Sequence, residues 1–366
     1  MYILIFLVIL AVLVLVHEFG HFYAAKKSGV RVDEFGLGFP PRLWGRRVGE
    51  TVYTLNAIPF GGFVKIFGEN PDDGLDEPLP TAELERSFVR KPKIVQAIIL
   101  LAGIAMNILF AWALFSIAFM SGMTTGVSDQ NSRYVRDAHV IVLDILPRSA
   151  AEKAGLMRGD QLIAYRAGGA TTTIAAPSTV QAVTRNSGGK PITFEVSRAT
   201  ETKYLAVSPV QSDQAGSYAI GISMDVVGKA QLPFFLAIAE GGKLTYHLFT
   251  GIFSGLYTLV HDALLGRADV SQLSGPVGIA RLVGDASKLG FVYLLSFTAF
   301  ISLNLAALNL IPFPALDGGR VLFVLIEAII RRPISPRVAN TANAIGFGLL
   351  ILFMVFITYK DIVKLF

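Results

Sequence analysis

Cysteine is absent from all 366 residues, and that removes two classes of chemistry at once. No disulfide framework can form, and no zinc site can be built from thiolates. Any metal must be held by histidine and carboxylate. Charge is scarce as well: Asp, Glu, Lys and Arg make up 16% of the chain, against about 25% in soluble domains. With 53% hydrophobic residues, that shortage argues for a membrane protein. The net charge of +5 is not gathered into a basic stripe with interleaved aromatics, so no nucleic acid is expected as a partner. Internal repeats are missing too, which weakens a transporter reading. The length leaves room for two or three domains.

What the sequence has in quantity is long apolar runs. Crossing a bilayer takes about 20 apolar residues, and four stretches qualify: Met1 to about Tyr23, Ile94 to Met120, Phe291 to Ile311 and Thr341 to Tyr359. The first is read as a retained span, not a signal peptide. No basic segment precedes its apolar run and no small-x-small cleavage site follows. Phe234 to Leu265 is also long, but His247, Thr250, Gly251, Ser254, Thr258, His261 and Asp262 recur on one side of it. Helical periodicity therefore predicts an amphipathic helix lying in the membrane interface.

Basic residues orient the spans. Lys26, Lys27, Arg31, Arg42, Arg46, Arg47, Lys65, Arg86, Arg90, Lys91 and Lys93 lie between spans one and two, and Arg320, Arg331, Arg332 and Arg337 between three and four. By the positive-inside rule both loops are cytoplasmic, so both termini and the segment from Ser121 to Gly290 lie outside. Within the first loop, Val32–Pro40 and Val52–Pro59 are short, aromatic and β-branched with Gly and Pro punctuation, and are expected to pair as a hairpin. Gly61–Ile66 is a candidate further strand, and the acidic, Pro-rich stretch 70–85 is expected to be a connector.

His17-Glu18-Phe19-Gly20-His21 is an HExxH sequence at the end of the first apolar run. The i, i+4 spacing stacks both imidazoles on one helix face, where they can take two positions on Zn²⁺, and Glu18 can act on a bound water. Two histidines and a carboxylate inside a span are costly in lipid and imply function. The bland alternative is a polar cluster satisfied by neighbouring helices. A partner lies far away in sequence: Asn309-Leu310-Ile311-Pro312-Phe313-Pro314-Ala315-Leu316-Asp317-Gly318-Gly319 ends the third run. Its two prolines must break the helix, and broken backbone at membrane depth is tolerated only inside protein or beside a water-filled cavity. Asp317 is the candidate third ligand. With four spans, Asp317 and the histidines share the cytoplasmic side. A fifth span at 234–265 would separate them.

HExxH in the first span, with NxxPxPxLDGG closing a later one, resembles the paired signature of the bacterial site-2 proteases, in the RseP-like group. The likeness extends to the Gly-rich segment Phe35–Pro40 and to the run Leu273–Ala280. The resemblance implies an intramembrane zinc endopeptidase with His17, His21 and Asp317 as metal ligands and Glu18 as general base. It further implies Asn304, Asn309, Pro312 and Pro314 as the substrate-binding set. Implied substrates are single-span membrane proteins, such as truncated anti-sigma factors and signal-peptide remnants, in the bacterial inner membrane.

Between the second and third runs, Val140 to Ala164 looks like a bacterial PDZ core: a strand, a short helix and then Gly155-Leu156-x-x-Gly159-Asp160-x-Leu162. Such a domain would either bind a peptide ligand or act as a size gate. The fold expected is thus a polytopic α-helical membrane protein. It would have four transmembrane helices, a cytoplasmic-side membrane-associated β-hairpin region and an inserted extracytoplasmic PDZ-like α+β domain. The expected divisions are 1–24 (span one), 25–93 (loop with hairpin), 94–120 (span two), 126–225 (PDZ-like), 230–290 (interfacial region), 291–319 (span three with its broken turn) and 320–366 (loop and span four). A zinc or ion transporter and a catalytically silent PDZ scaffold are the competing readings. His139, His247 and His261 each stand outside any ligand spacing and receive no metal role.

Overall fold

The computed structural model describes residues 2–69, 80–127, 132–198, 201–212, 216–267 and 274–363. Most of the connector expected at 70–85 and Leu273 of the Gly-rich run lie outside the described residues. Two compact units emerge, one of residues 1–118 and 235–366, the other of residues 119–234.

The first unit is mainly helical. Helix α1 (Tyr2–Lys27) is apolar on all sides as far as Val16 and continues unbroken through the HExxH sequence. Strands β1 (Val32–Val48) and β2 (Thr51–Ile66) follow, then the short α2 (Thr81–Leu84) and the long α3 (Lys93–Met120). After the second unit come α6 (Phe234–Leu264), α7 (Pro276–Leu289), α8 (Phe291–Leu310), α9 (Asp317–Ile330) and α10 (Pro336–Val363). Among the described residues, four helices are long and apolar enough to cross a membrane. These are α1, α3, α8 and α10, with mean hydropathies of 2.8, 2.4, 1.9 and 2.1. Helix α6 has 31 residues but is not among the four. Its first turns pack on α3, where Trp112 Nε1 donates to the Ile238 carbonyl at 2.8 Å. Its Tyr246, Tyr257 and Val260 side chains are exposed.

Strands β1 and β2 are longer than the sequence suggested and fold on themselves. Phe35 pairs with both Tyr53 and Val64, and Leu37 with both Leu55 and Gly62, while 42–48 pairs with 51–56. Two strands therefore make a four-layered ribbon in the order 42–48, 51–56, 34–37, 62–66. The bend in β2 comes near Pro59 and Gly61, where proline cannot donate to a ladder and Gly61 adopts φ +85°. The last layer lies against α1. Ala25, Val30, Val32, Ile66, Phe88, Ile99, Leu100 and Val324 form the core that ties this ribbon to α1, α3 and α9.

The second unit is a seven-stranded sheet. It comprises β3 (Met123–Gly126), β4 (Val135–Ile145), β5 (Gln161–Ala167), β6 (Ala170–Thr173), β7 (Ile192–Arg198), β8 (Glu201–Val207) and β11 (Ile222–Ala230). The order is β3-β11-β4-β5-β7-β8, with β6 on β5. A separate pair is formed by β9 (Val210–Ser212) and β10 (Ser217–Ala219). Helices α4 (Ala150–Lys153) and α5 (Pro177–Asn186) complete it. Alternating residues of β4, β5 and β7, among them Val140, Val142, Leu162, Phe194 and Val196, bury one face. The sheet reaches past 126–225 at both ends, because β11 continues to Ala230 and its extra length pairs with β3.

Candidate active site

The site is assembled from three helices of the first unit. His17 and His21, one turn apart on α1, are each 7% exposed. Asp317 is the first residue of α9, 300 positions from His17. His17 Nε2 lies 2.8 Å from Asp317 Oδ2, His21 Nε2 lies 3.4 Å from the same oxygen, and the two Nε2 atoms are 3.1 Å apart. Two donors, each about 2.05 Å from a four-coordinate ion, stand about 3.3 Å apart. The three observed separations match that edge length, so this donor set fits a small divalent cation. Among the described residues it is the one His and carboxylate group of three or more with such convergence.

Local sequence explains how Asp317 arrives there. Helix α8 stops at Leu310, and Pro312 and Pro314 keep 311–316 irregular. Ala315 takes φ +76°, and its N–H donates to Asn343 Oδ1 of α10 at 3.1 Å, which holds this unfavourable conformation. Gly318 and Gly319 let α9 start back against that turn, since a Cβ on either would overlap the carbonyls of Ile311 or Phe313. Helix α3 supplies the floor. Gly20 sits directly on the Ala102 carbonyl, and a Cβ at Gly103 would overlap His21 Nε2. Only small residues permit that approach of α1 and α3.

The ring orientations are set from behind. His21 Nδ1–H donates to the Ile99 carbonyl at 2.8 Å, leaving Nε2 to face Asp317. Asn107, fully buried on α3, places its amide 3.2 Å from His17 Nδ1. Glu18, next on α1, points away from the rings' rear supports into a cavity of about 210 Å³. Its other walls are His21, Asp317, Arg320, the last-layer residues Phe63, Val64 and Ile66, and Glu69 just beyond β2. Arg320 Nη1 donates to Glu69 Oε1 at 2.6 Å, linking α9 to the end of β2 beside the cavity.

The sequence-predicted residues thus divide. His17, Glu18, His21 and Asp317 come together. Asn304 and Asn309, half-buried on α8, and Pro312 and Pro314, in the irregular turn, do not line the cavity. Asn304 Nδ2 instead donates to the Phe300 carbonyl of its own helix at 2.9 Å. Sequence reasoning missed Gly103, Asn107, Glu69 and Arg320. An isolated asparagine in the apolar run of α3 was the available signal for Asn107, because a polar side chain at membrane depth needs a partner.

A cluster of two buried histidines and a half-buried carboxylate, with a second carboxylate beside it on a cavity, is the arrangement of a metal-dependent hydrolase. Comparison with known proteins narrows this. The family model for peptidase family M50 matches residues 5–353. A Clostridium perfringens protein named "Putative zinc metalloprotease" is 36% identical over 363 residues, covering 99% of each chain. Proteins named "Zinc metalloprotease RasP" from Geobacillus kaustophilus and Oceanobacillus iheyensis are 29% and 27% identical, over 99% of this chain and 97% and 98% of theirs. The chain belongs to peptidase family M50, the site-2 proteases.

Proposed function

We propose that this protein is an intramembrane zinc endopeptidase that hydrolyses peptide bonds within or near the transmembrane segment of single-span proteins. The observation that carries the reading is the convergence of His17 Nε2, His21 Nε2 and Asp317 Oδ2 beside the cavity that holds Glu18. The relatives' names specify zinc, and the two imidazoles with one carboxylate suit it. His17, His21 and Asp317 hold the ion. When bound, zinc supplies Lewis-acid polarisation of a water and of the scissile carbonyl.

The chain's own groups carry the rest of the chemistry. Glu18 accepts the proton of the attacking water on its carboxylate, then returns it to the leaving amine nitrogen. His21, whose Nδ1–H is held by the Ile99 carbonyl, keeps its Nε2 lone pair on the site. The cavity has room for several waters. Glu69 and Arg320 flank it with a mutually neutralising pair.

A helical substrate hides its peptide bonds in its own hydrogen bonds and must unwind before attack. The β1–β2 ribbon, membrane-associated on the cytoplasmic side, captures the unwound stretch by adding it as a strand. Asn304, Asn309, Pro312 and Pro314 on the α8 turn hold its other side. This asks Asn304 to release the Phe300 carbonyl. With four spans, α1, α3, α8 and α10, both termini lie on one side of a bacterial inner membrane, and the basic residues of the two intervening loops favour the outside for them. Unit 119–234 is a PDZ-like domain on that same side, with α6 and α7 along the outer interface. Substrates are single-span proteins of the bilayer, including truncated anti-sigma factors and signal-peptide remnants.

The test is cleavage of a single-span model substrate with helix-breaking residues in its membrane segment, using purified protein in detergent. Wild type should cut, zinc chelation should stop it, and Glu18→Gln should lower the rate by about 10²–10⁴-fold while keeping zinc. Undiminished cleavage by Glu18→Gln or by chelated protein would sink the mechanism. Stoichiometric zinc without cleavage of any such substrate would favour a transporter or a silent scaffold.

A further inference from the structure

Asn107 faces the rear nitrogen of His17. It is 0% exposed, and its amide Nδ2 lies 3.2 Å from His17 Nδ1. Its Oδ1 is buried with no hydrogen-bond partner among the described residues. Its own carbonyl accepts from Ser302 Oγ of α8 at 2.8 Å, so the residue is anchored by the backbone while its amide is not.

We propose that Asn107 is a positioning residue whose amide turns over to hold His17 in the tautomer that metal binding requires. In the arrangement observed, the Asn107 amide N–H donates to His17 Nδ1. His17 then carries its hydrogen on Nε2 and donates it to Asp317 Oδ2 at 2.8 Å. A cation at Nε2 needs that lone pair, so the hydrogen must sit on Nδ1 and the group behind must become an acceptor. A 180° turn of the amide brings Oδ1 to the same place. Because Oδ1 has no other partner, the turn gives up no hydrogen bond except the one it replaces. An amide carries a donor arm and an acceptor arm of nearly the same shape, so a half-turn exchanges them. The backbone carbonyl of Ile99 behind His21 can only accept, which fixes that ring in a single tautomer. His17 is therefore the adjustable ligand and His21 the fixed one.

This inference rests on the reading of His17, His21 and Asp317 as zinc ligands. Its test is zinc affinity of the full-length protein in detergent, by competition with a chromophoric chelator, for wild type, Asn107→Leu and Asn107→Asp. Asn107→Leu keeps the volume and removes the acceptor, and should bind zinc about 10–100-fold more weakly. Asn107→Asp keeps the acceptor and should bind within about threefold of wild type or tighter. The melting temperature of the chelated protein should be the same for Asn107→Asp and wild type, so that affinity is read on an intact fold. Wild-type affinity in Asn107→Leu overturns the positioning role and leaves the ligand assignment standing. Equal weakening in both variants also overturns it. Failure of wild type itself to bind one zinc overturns the ligand assignment, and this inference with it.

Discussion

Each of the two units holds a carboxylate among close partners, fully buried at Asp160 and half-buried at Asp317, and they satisfy it in opposite ways. In the sheet, Asp160 is fully buried, and its two oxygens accept three hydrogen bonds. Arg198 Nε and Nη2 grip its two oxygens at 2.7 Å each, and the Met157 N–H donates at 2.9 Å. In the helical unit, Asp317 meets two histidines through one oxygen, and the space beyond them is a cavity. A buried charge with a full, rigid set of partners is a structural element. One that meets its partners through a single oxygen beside an open cavity invites a ligand. Gly155 and Gly159 precede Asp160, and Gly318 and Gly319 follow Asp317, so neighbouring glycines alone do not tell the roles apart. The partners do.

The largest expected difference between them is in metal binding. Asp317→Asn should weaken zinc binding by at least about 100-fold and abolish cleavage, while Asp160→Asn should leave zinc content unchanged. Zinc retained at wild-type affinity in Asp317→Asn would erase the contrast.

Next in size is stability. Removing the charge of Asp160 leaves Arg198 with the Gly155 carbonyl as its remaining partner and should cost the sheet about 1–3 kcal/mol. Protease resistance of residues 119–234 would register this in the full chain, and wild-type resistance would show that the pair is dispensable. The same pair carries a pH signature. Burial by itself would raise the Asp160 pKa, but Arg198 and the Met157 N–H hold it below its ordinary value. A depressed folded-state pKa contributes stability that is present above the unfolded value and lost as pH falls through the folded one. Sheet protection should therefore hold down to about pH 4 and decline below it. Asp160→Asn should flatten that decline.

The smallest effect is expected at Asp144, which pairs with Arg158 on the open surface. Its pKa is lowered chiefly by the Ile145 N–H. Arg158→Ala should leave protease resistance unchanged, since exposed pairs contribute little. A clear loss there would mean that burial is not what separates structural pairs from incidental ones.

Much of this was legible in the residues. Apolar runs longer than a bilayer is thick marked α1, α3, α8 and α10, because length and hydropathy are local properties. His17 and His21 sit on one face because helical geometry puts i and i+4 there. Pro312 and Pro314 announced a break. The ribbon was harder to foresee. Its strand segments were visible, yet the pairing of Phe35 with two partners depends on β2 bending back around it. The end of the sheet at Ala230 was missed because β3 and β11 are about a hundred residues apart and pair only in three dimensions. The substrate role proposed for Asn304 requires a side chain now bonded to its own helix to move.

The sequence by itself determined the donor types, the absence of any thiolate alternative, the one-turn spacing of the histidines and the place where the chain must break. These follow from covalent order and helix periodicity. Tertiary structure alone decided that Asp317 closes on His17 across 300 positions, that Gly103 lies under the rings, and that Asn107 and the Ile99 carbonyl stand behind them. Which atom faces a histidine's second nitrogen is set by how closely two helices approach, and no local pattern along the chain encodes that distance.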